Sequence, residues 1–412
     1  MWFSLAVAAN EQLQQLDDLK AVDVAAFRQQ LDALQRQADS FTNADKQYLQ
    51  LLQGYNLTLS GNLKAAQAHL EVMLQQAGEP EILFRVKALL INVQAVTRDY
   101  YSAFSYLQDI ARTLPDIQDQ RARQHGLSVM AYTYNQLERY EVAKFYAQTL
   151  ADSAVSERAK CHANHHLLES LYGLQQWVEF KQRVEPAIQH CLALDERIFA
   201  NLIRIKQHSY LLQADLPAEA ERFYNSYKNE LSQAGYPLLV ANASALAALS
   251  AIAVGDNTRA LTLAQSALTQ LDETDFSLVL INTYSALYQA YENTADFDNA
   301  FQMLKKYSYA RQANSDNRFA QQQAYYLAKA EIEVKNQRIA LLDRDNELLS
   351  LQQNIYLQKV EQNRLAVMLL LSVLTIASFI AYRGLSGRRR FKKIAEYDQL
   401  TGISNRYHFN NQ

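Results

Sequence analysis

Along most of the chain, apolar side chains recur at helical spacing in short blocks separated by turn residues. "SGNLKAAQAHL", "TRDYYSAFSYL", "LERYEVAKFYA", "ADLPAEAERFY", "VGDNTRALTLA" and "TADFDNAFQML" share one pattern. A turn residue, often Asp or Gly, stands four positions before a small residue, and an apolar helical face follows. The marked positions are Ala65, Ala103, Ala143, Phe180, Ala220, Ala260 and Ala300, spaced by 38, 40, 37, 40, 40 and 40 residues. A period near 40 predicts seven antiparallel helix pairs, each helix about 17 residues long and joined by short turns. The small residue has a physical role. Near the start of the second helix it faces the first, where a large side chain would hold the two apart.

These residues resemble the tetratricopeptide repeat, which pairs such an alanine with an aromatic residue nine positions earlier. Tyr134 and Ala143, and Tyr291 and Ala300, have that separation. Pro115 stands where that family ends a repeat. The match is degenerate, because Phe180 replaces the small residue and the period exceeds the family's 34. HEAT-like pairs, with periods near 40, remain the alternative. Both imply an all-α solenoid whose concave face binds a peptide, a protein or a small-molecule signal. Most of the 25 tyrosines fall at helical spacing and are expected to pack.

The pattern changes after the seventh unit. Residues 317–364 contain no Gly or Pro. Ile332, Ile339, Leu342, Leu349, Tyr356 and Val360 follow heptad a and d positions, with Asn346 and Gln353 at a. Polar a residues fix register and strand number, so a parallel homodimeric stalk is expected, with a solitary helix as the alternative. Leu365 to Tyr382 is an 18-residue stretch without a charge. Such a stretch is about 27 Å long as a helix, close to the bilayer core. Within it Ala377 and Ala381 form a small-xxx-small pair, a minor addition to the dimer expectation. "RGLSGRRRFKK" follows with six positive charges and no acid, which places that side in the cytoplasm. The N-terminal "MWFSLAVAAN" reads as the rear half of a signal peptide, with an Ala-x-Ala type cleavage site before Asn10. Residues 10–364 are then expected outside the cytoplasm and 383–412 inside it. The 412 residues include only 10 Gly and 5 Pro and carry a net charge of −3. That near balance gives no reason to expect a nucleic-acid partner.

Both cysteines and four of the eight histidines lie in "CHANHH" (161–166) and "HC" (190–191). Around a turn near Gln176, an antiparallel hairpin sets Cys161 and Cys191 at one level. A disulfide, two unpaired buried thiols, and a metal or redox site all remain open. No tight metal-ligand spacing supports the last, and no metal ligand is assigned.

The chain closes on "YDQLTGISNRYHF" before its last residues. Asp398 can begin a turn, Gly402 can supply positive φ, and Asn405 can cap a helix from Arg406 onward. The spacing of Asp398, Leu400, Thr401, Gly402, Asn405, Arg406 and Phe409 resembles D-x-L-T-G-[L/I]-x-N-R-x-x-F. That motif opens the GGDEF domain of bacterial diguanylate cyclases, and the whole chain is similar to membrane-bound cyclases with a periplasmic tetratricopeptide sensor. The resemblance implies an α/β catalytic domain, truncated here after about fifteen residues, in a protein of the bacterial inner membrane. It implies a dimer in which two GTP molecules with Mg²⁺ are condensed to cyclic di-GMP. The catalytic hairpin and its upstream metal-binding Asp are absent, so this chain has no catalytic residue and is expected to be inactive alone. Asp398 and Arg406 are expected to pair at the domain entry.

The expected organisation is a signal-peptide remnant at 1–9, a sensor solenoid at 10–311 and a coiled-coil helix at 312–363. A transmembrane helix at 364–383, a basic juxtamembrane helix at 384–395 and the domain fragment at 396–412 follow. The competing reading is a non-enzymatic, membrane-anchored interaction scaffold. A histidine-kinase output would need a His after the membrane helix, which "KKIAEYDQLTG" lacks.

Overall fold

The structure, a computed structural model, describes residues 2–20, 23–232, 236–273, 277–398 and 400–404, with backbone alone for 2–9. Two helices, α1 (Trp2–Leu19) and α2 (Val24–Gln35), precede the pairs. The pairs are α3 (Asn43–Leu59) with α4 (Leu63–Gln75), α5 (Pro80–Val96) with α6 (Tyr100–Thr113), and α7 (Gln120–Gln136) with α8 (Tyr140–Ser153). They continue as α9 (Glu157–Gly173) with α10 (Trp177–Ala193), α11 (Arg197–Gln213) with α12 (Pro217–Ser232), and α13 (Pro237–Ala253) with α14 (Asn257–Leu268). In the seventh, α15 (Leu278–Asn293) pairs with the start of α16 (Phe297–Glu396). The chain divides into two units, Met1–Ile332 and Glu333–Gln412.

In the first unit, successive odd-numbered helices from α3 to α15 touch one another, and each even-numbered helix from α2 to α14 packs on its odd neighbours. The odd helices therefore form the inner layer of a curved stack, since helices crowd together on the concave side. This is a tetratricopeptide-like α-solenoid.

One turn recurs in all seven pairs. Gly61, Arg98, Glu138, Gln175, Asp215, Gly255 and Ala295 each have φ between 57° and 86°. In each, the next residue's N–H donates back across the turn: Asn62 to Leu57 at 3.0 Å, Asp99 to Gln94 at 2.9 Å and Asp256 to Ala251 at 2.8 Å. This left-handed closure satisfies carbonyls that the helix end would otherwise leave open. Five of the seven residues are not glycine, although the conformation costs an L-residue about 1 kcal/mol or more.

Five residues after each left-handed residue comes the side chain that meets the partner helix. Ala66, Ala103, Ala143, Phe180, Ala220 and Ala260 are fully buried, and Ala300 nearly so. In the first pair the buried residue is Ala66 and not the expected Ala65, which is only partly buried. Gly61 takes the left-handed position and Asn62 caps α4, which moves the buried position one residue along. Phe180 fills the same place among Tyr172, Trp177 and Tyr210, with ring centroids 5.5 to 6.3 Å away.

The boundary of the array also differs from expectation. Residues 312–332, read as the start of a free stalk, belong to the first unit. Tyr325 and Ala328 are buried in the core with Phe104 and Tyr134. Tyr100 donates to Asn317 at 2.7 Å, and Arg318 pairs with Glu138. Heptad spacing marks only that one face of a helix is apolar, and here the array itself covers that face.

In the second unit, α16 runs uninterrupted to Glu396. It includes the uncharged 18-residue stretch, which is long and apolar enough to cross a membrane and has no part of its surface buried. Beyond α16 an isolated antiparallel bridge joins Tyr397 and Ser404; no strand occurs among the described residues.

Candidate functional site

The inner helices carry polar residues beneath the surface. On α7, α9, α11 and α13, Asn135, His166, Ser170, His208 and Ser250 are all buried. Most are tied to one another. Asn135 donates to the His166 carbonyl at 2.9 Å, Ser170 donates to Asn135 at 2.8 Å, and His208 Nε2 meets Ser250 Oγ at 2.8 Å. Buried polar groups need such partners. The Nδ1 atoms of His125, His165 and His166 have none within the protein.

Those three imidazoles line a cavity of about 610 Å³ between α5, α7, α9 and α11. Its remaining wall is apolar or neutral, including Val96, Phe104, Val129, Tyr132, Phe199 and Leu202. No carboxylate or cation lines it. Burial pushes His125 and His165 down to about 3, and lowers His166 well below its ordinary value. All three are neutral at physiological pH, so each offers a donor or an acceptor without a charge.

A second cavity, about 260 Å³, lies beside the first and shares His125 and Ser128 with it. Its chemistry is opposite. Arg85 Nη2 donates to both carboxylate oxygens of Asp17, at 3.0 and 2.8 Å, and Lys20 and Tyr48 add bonds of 2.6 and 2.7 Å. Burial alone would raise the Asp17 carboxyl, but Arg85 and Lys20 outweigh it and hold the group well below the usual range. Burial lowers Lys20, with Asp17 opposing. Tyr55, pushed up to about 12 mainly by burial, keeps its proton and meets His125 Nε2 at 3.1 Å. The Nε of Arg85 has no partner.

The cysteine–histidine hairpin resolves into separate structural roles. Cys161 on α9 and Cys191 on α10 are joined by a disulfide, their Cα atoms 5.3 Å apart. His162 stacks on Phe199 at 3.8 Å, and His190 meets Glu157 at 3.0 Å. His165 and His166 turn to the large cavity instead. Among the described residues no group of three or more His, Cys, Asp and Glu could hold a metal ion.

In the second unit the Asp398 carboxylate accepts from the N–H groups of Leu400 and Thr401 at 3.0 and 3.1 Å, and from the Thr401 hydroxyl at 3.1 Å. The Gly402 N–H donates to the Asp398 carbonyl at 3.0 Å, with Gly402 at φ 68°. These backbone bonds, Leu400's first, lower the Asp398 carboxyl. Asn405, Arg406 and Phe409, and with them the expected Asp398–Arg406 pair, lie outside the described residues. The Asp398 carboxylate is thus directed to its own turn.

Sequence reasoning missed both cavities. His165 and His166 lie in the CHANHH stretch already noted for its cysteine and histidines, whereas Asp17, Arg85, His125 and Tyr132 have no distinguishing pattern in the sequence. The only signal available was a polar residue on an otherwise apolar helix face.

No protein-family model matches this chain, and no curated protein matches its sequence. Similar folds occur among solved structures. A Rap protein complexed with competence and sporulation factor is 10% identical with a TM-score of 0.51, over 75% of this chain and 99% of that one. The apo quorum sensor NprR from B. thuringiensis is 12% identical with a TM-score of 0.50, over 78% and 97%. A signal-transduction ATPase of the STAND class with a tetratricopeptide repeat sensor, from Pyrococcus horikoshii, is 11% identical with a TM-score of 0.55, covering 77% of this chain and 49% of its own. At these identities the likeness is one of fold.

Proposed function

We propose that this chain is the sensing and membrane-anchoring part of a dimeric signalling protein whose cytoplasmic output is a diguanylate cyclase. The observation that carries the reading is the order of segments in the sequence. A tetratricopeptide-like array is followed by a long helix, an uncharged 18-residue stretch, a basic cluster and then D-x-L-T-G-x-x-N-R-x-x-F from Asp398 to Phe409. Sensing as the role of the array is supported by the company its fold keeps, which includes a Rap protein bound to competence and sporulation factor and a quorum sensor. In this reading residues 10–364 face the periplasm and 383–412 the cytoplasm. A second copy pairs through the exposed heptad face of α16, where Ile339, Leu342, Leu349 and Tyr356 lie uncovered.

Signalling then requires a ligand that binds two dimer states with different affinity, and the α16 pair carries that difference to the output domain. In this reading the groups that bind GTP and Mg²⁺ belong to the output domain, and this chain alone is expected to have no turnover. The test is to read the frame past Gln412 and assay membranes carrying the complete product for conversion of GTP to cyclic di-GMP. A frame that continues through a Gly-Gly-(Asp/Glu)-Glu-Phe hairpin and gives product supports the proposal. A frame that closes at Gln412 overturns it and leaves a membrane-anchored binding scaffold.

A further inference from the structure

The small cavity holds more positive charge than its carboxylates balance. Lys20, Arg85, Arg121 and Arg158 line it, against Asp17 and Asp18. Arg158 is taken up by Glu196 from outside the cavity, and Arg121 reaches Asp18 at 2.8 Å. Arg85 and Lys20 are left to share the single carboxylate of Asp17. Arg85 is only 5% exposed. A buried cation without its own counter-charge is costly, and the partnerless Arg85 Nε adds an unmet donor to the same cavity.

Across His125 and Ser128 lies the larger cavity, whose wall is uncharged. It too has an unmet polar atom, the Nδ1 of His166, a residue 5% exposed. At His125 and Ser128, therefore, a site short of one negative charge adjoins a site suited to an apolar body.

We propose that the two cavities together bind a small amphipathic carboxylate. Its anionic head would lie toward Lys20, Arg85 and Arg121, and its aromatic or branched apolar body among Phe104, Val129, Tyr132 and Phe199. The Ser128 hydroxyl and the neutral imidazoles of His125 and His166 supply uncharged hydrogen bonds where head meets body. A free organic acid and the C-terminus of a short apolar peptide share this chemistry. As the signal of a sensor, the ligand rests on the function proposed above. Binding itself needs no output domain, so the two fail separately.

The test uses the 412-residue chain in lipid nanodiscs, titrated calorimetrically with 4-phenylbutyrate, 4-phenylbutyramide and acetate, with empty nanodiscs as control. Saturable binding of 4-phenylbutyrate is expected, at least tenfold tighter than either the neutral amide or the bare head. Lys20→Gln and Arg121→Gln, both at partly or well exposed side chains, should each weaken it about fivefold or more while the far-ultraviolet spectrum stays unchanged. A parallel arm uses the tetrapeptide Ala-Leu-Leu-Phe with a free or an amidated C-terminus. Binding of the free peptide alone, abolished by amidation, keeps the carboxylate chemistry and names a peptide as its source. Equal binding of acid and amide, or no saturable binding of any probe, overturns the proposal.

Discussion

Leu287 on α15 and Leu342 on α16 are the same side chain on helices of similar make-up, yet the first is 2% exposed and the second 55%. In the array the inward-facing apolar residues meet neighbouring helices, and at the helix crossings small residues such as Ala143 and Ala260 are fully buried. From Glu333 onward the apolar residues of α16 have no covering within the chain. Exposed leucines in such density define a surface that something else must cover, and in our reading lipid covers 365–382 and a second copy covers the heptads before it. Stability in the array is thus internal, whereas the order of the second unit depends on its surroundings.

The sharpest way to separate the two regions is acid. His125 and His165 stay neutral in the fold down to about 3, while in the unfolded chain each takes a proton near the ordinary value of about 6.5. Because the unfolded state then binds more protons, stability is complete above about pH 6.5 and falls by roughly 1.4 kcal/mol per histidine for each pH unit below it. Asp17 acts in the same direction at lower pH, since its depressed carboxyl stabilises the fold only while ionised. Hydrogen exchange between pH 7 and 4 should show the array loosening with little pH effect on residues 333–364, and His165→Gln should flatten the slope. A slope unchanged by that substitution would contradict the assignment.

Arg85→Met tests the buried charge directly. Leaving Asp17 with Lys20 as its one remaining cation should cost about 3–5 kcal/mol, read as a lower melting temperature of the array. Opening the Cys161–Cys191 bond by Cys161→Ala with Cys191→Ala should cost about 3–4 kcal/mol for a separation of 30 residues, localised to α9 and α10. The αL turns give a smaller effect of opposite sign. Gln175→Gly and Ala295→Gly relieve a left-handed conformation at φ 57° and 60°, and each should raise stability by up to about 1 kcal/mol. Last, Ile339→Asp with Leu342→Asp should leave array stability within about 0.5 kcal/mol and abolish dimers seen by crosslinking. A fall in array stability would mean that this face packs on the array instead.

The repeat was legible because it recurs. Seven turns with one spacing exceed what a single degenerate unit could show, even with Phe180 in place of alanine. The exact buried residue was less so: Ala65 and Ala66 differ only in which of Gly61 and Asn62 takes the left-handed position, and two small residues in a row carry no further signal. The end of the array could not be read from heptads, since Tyr325 and Ala328 show the same periodicity whether a second copy or α6 and α7 receives them. The cavities left no trace in the pattern at all, because Asp17, Arg85 and His125 come from helices far apart in the chain.

What the sequence determined by itself was local and repetitive: helix period, turn chemistry, the small residues at each crossing, the uncharged 18-residue stretch and the motif from Asp398. Those depend on neighbours within a few residues, which the order of the chain contains outright. Tertiary structure alone decided which polar residues lose water together. The neutrality of three histidines, the shared Asp17 carboxylate and the two adjoining cavities arise only when stacked helices bring α1, α5, α7 and α9 within a few ångströms, and the strength of each charge depends on that exclusion of solvent.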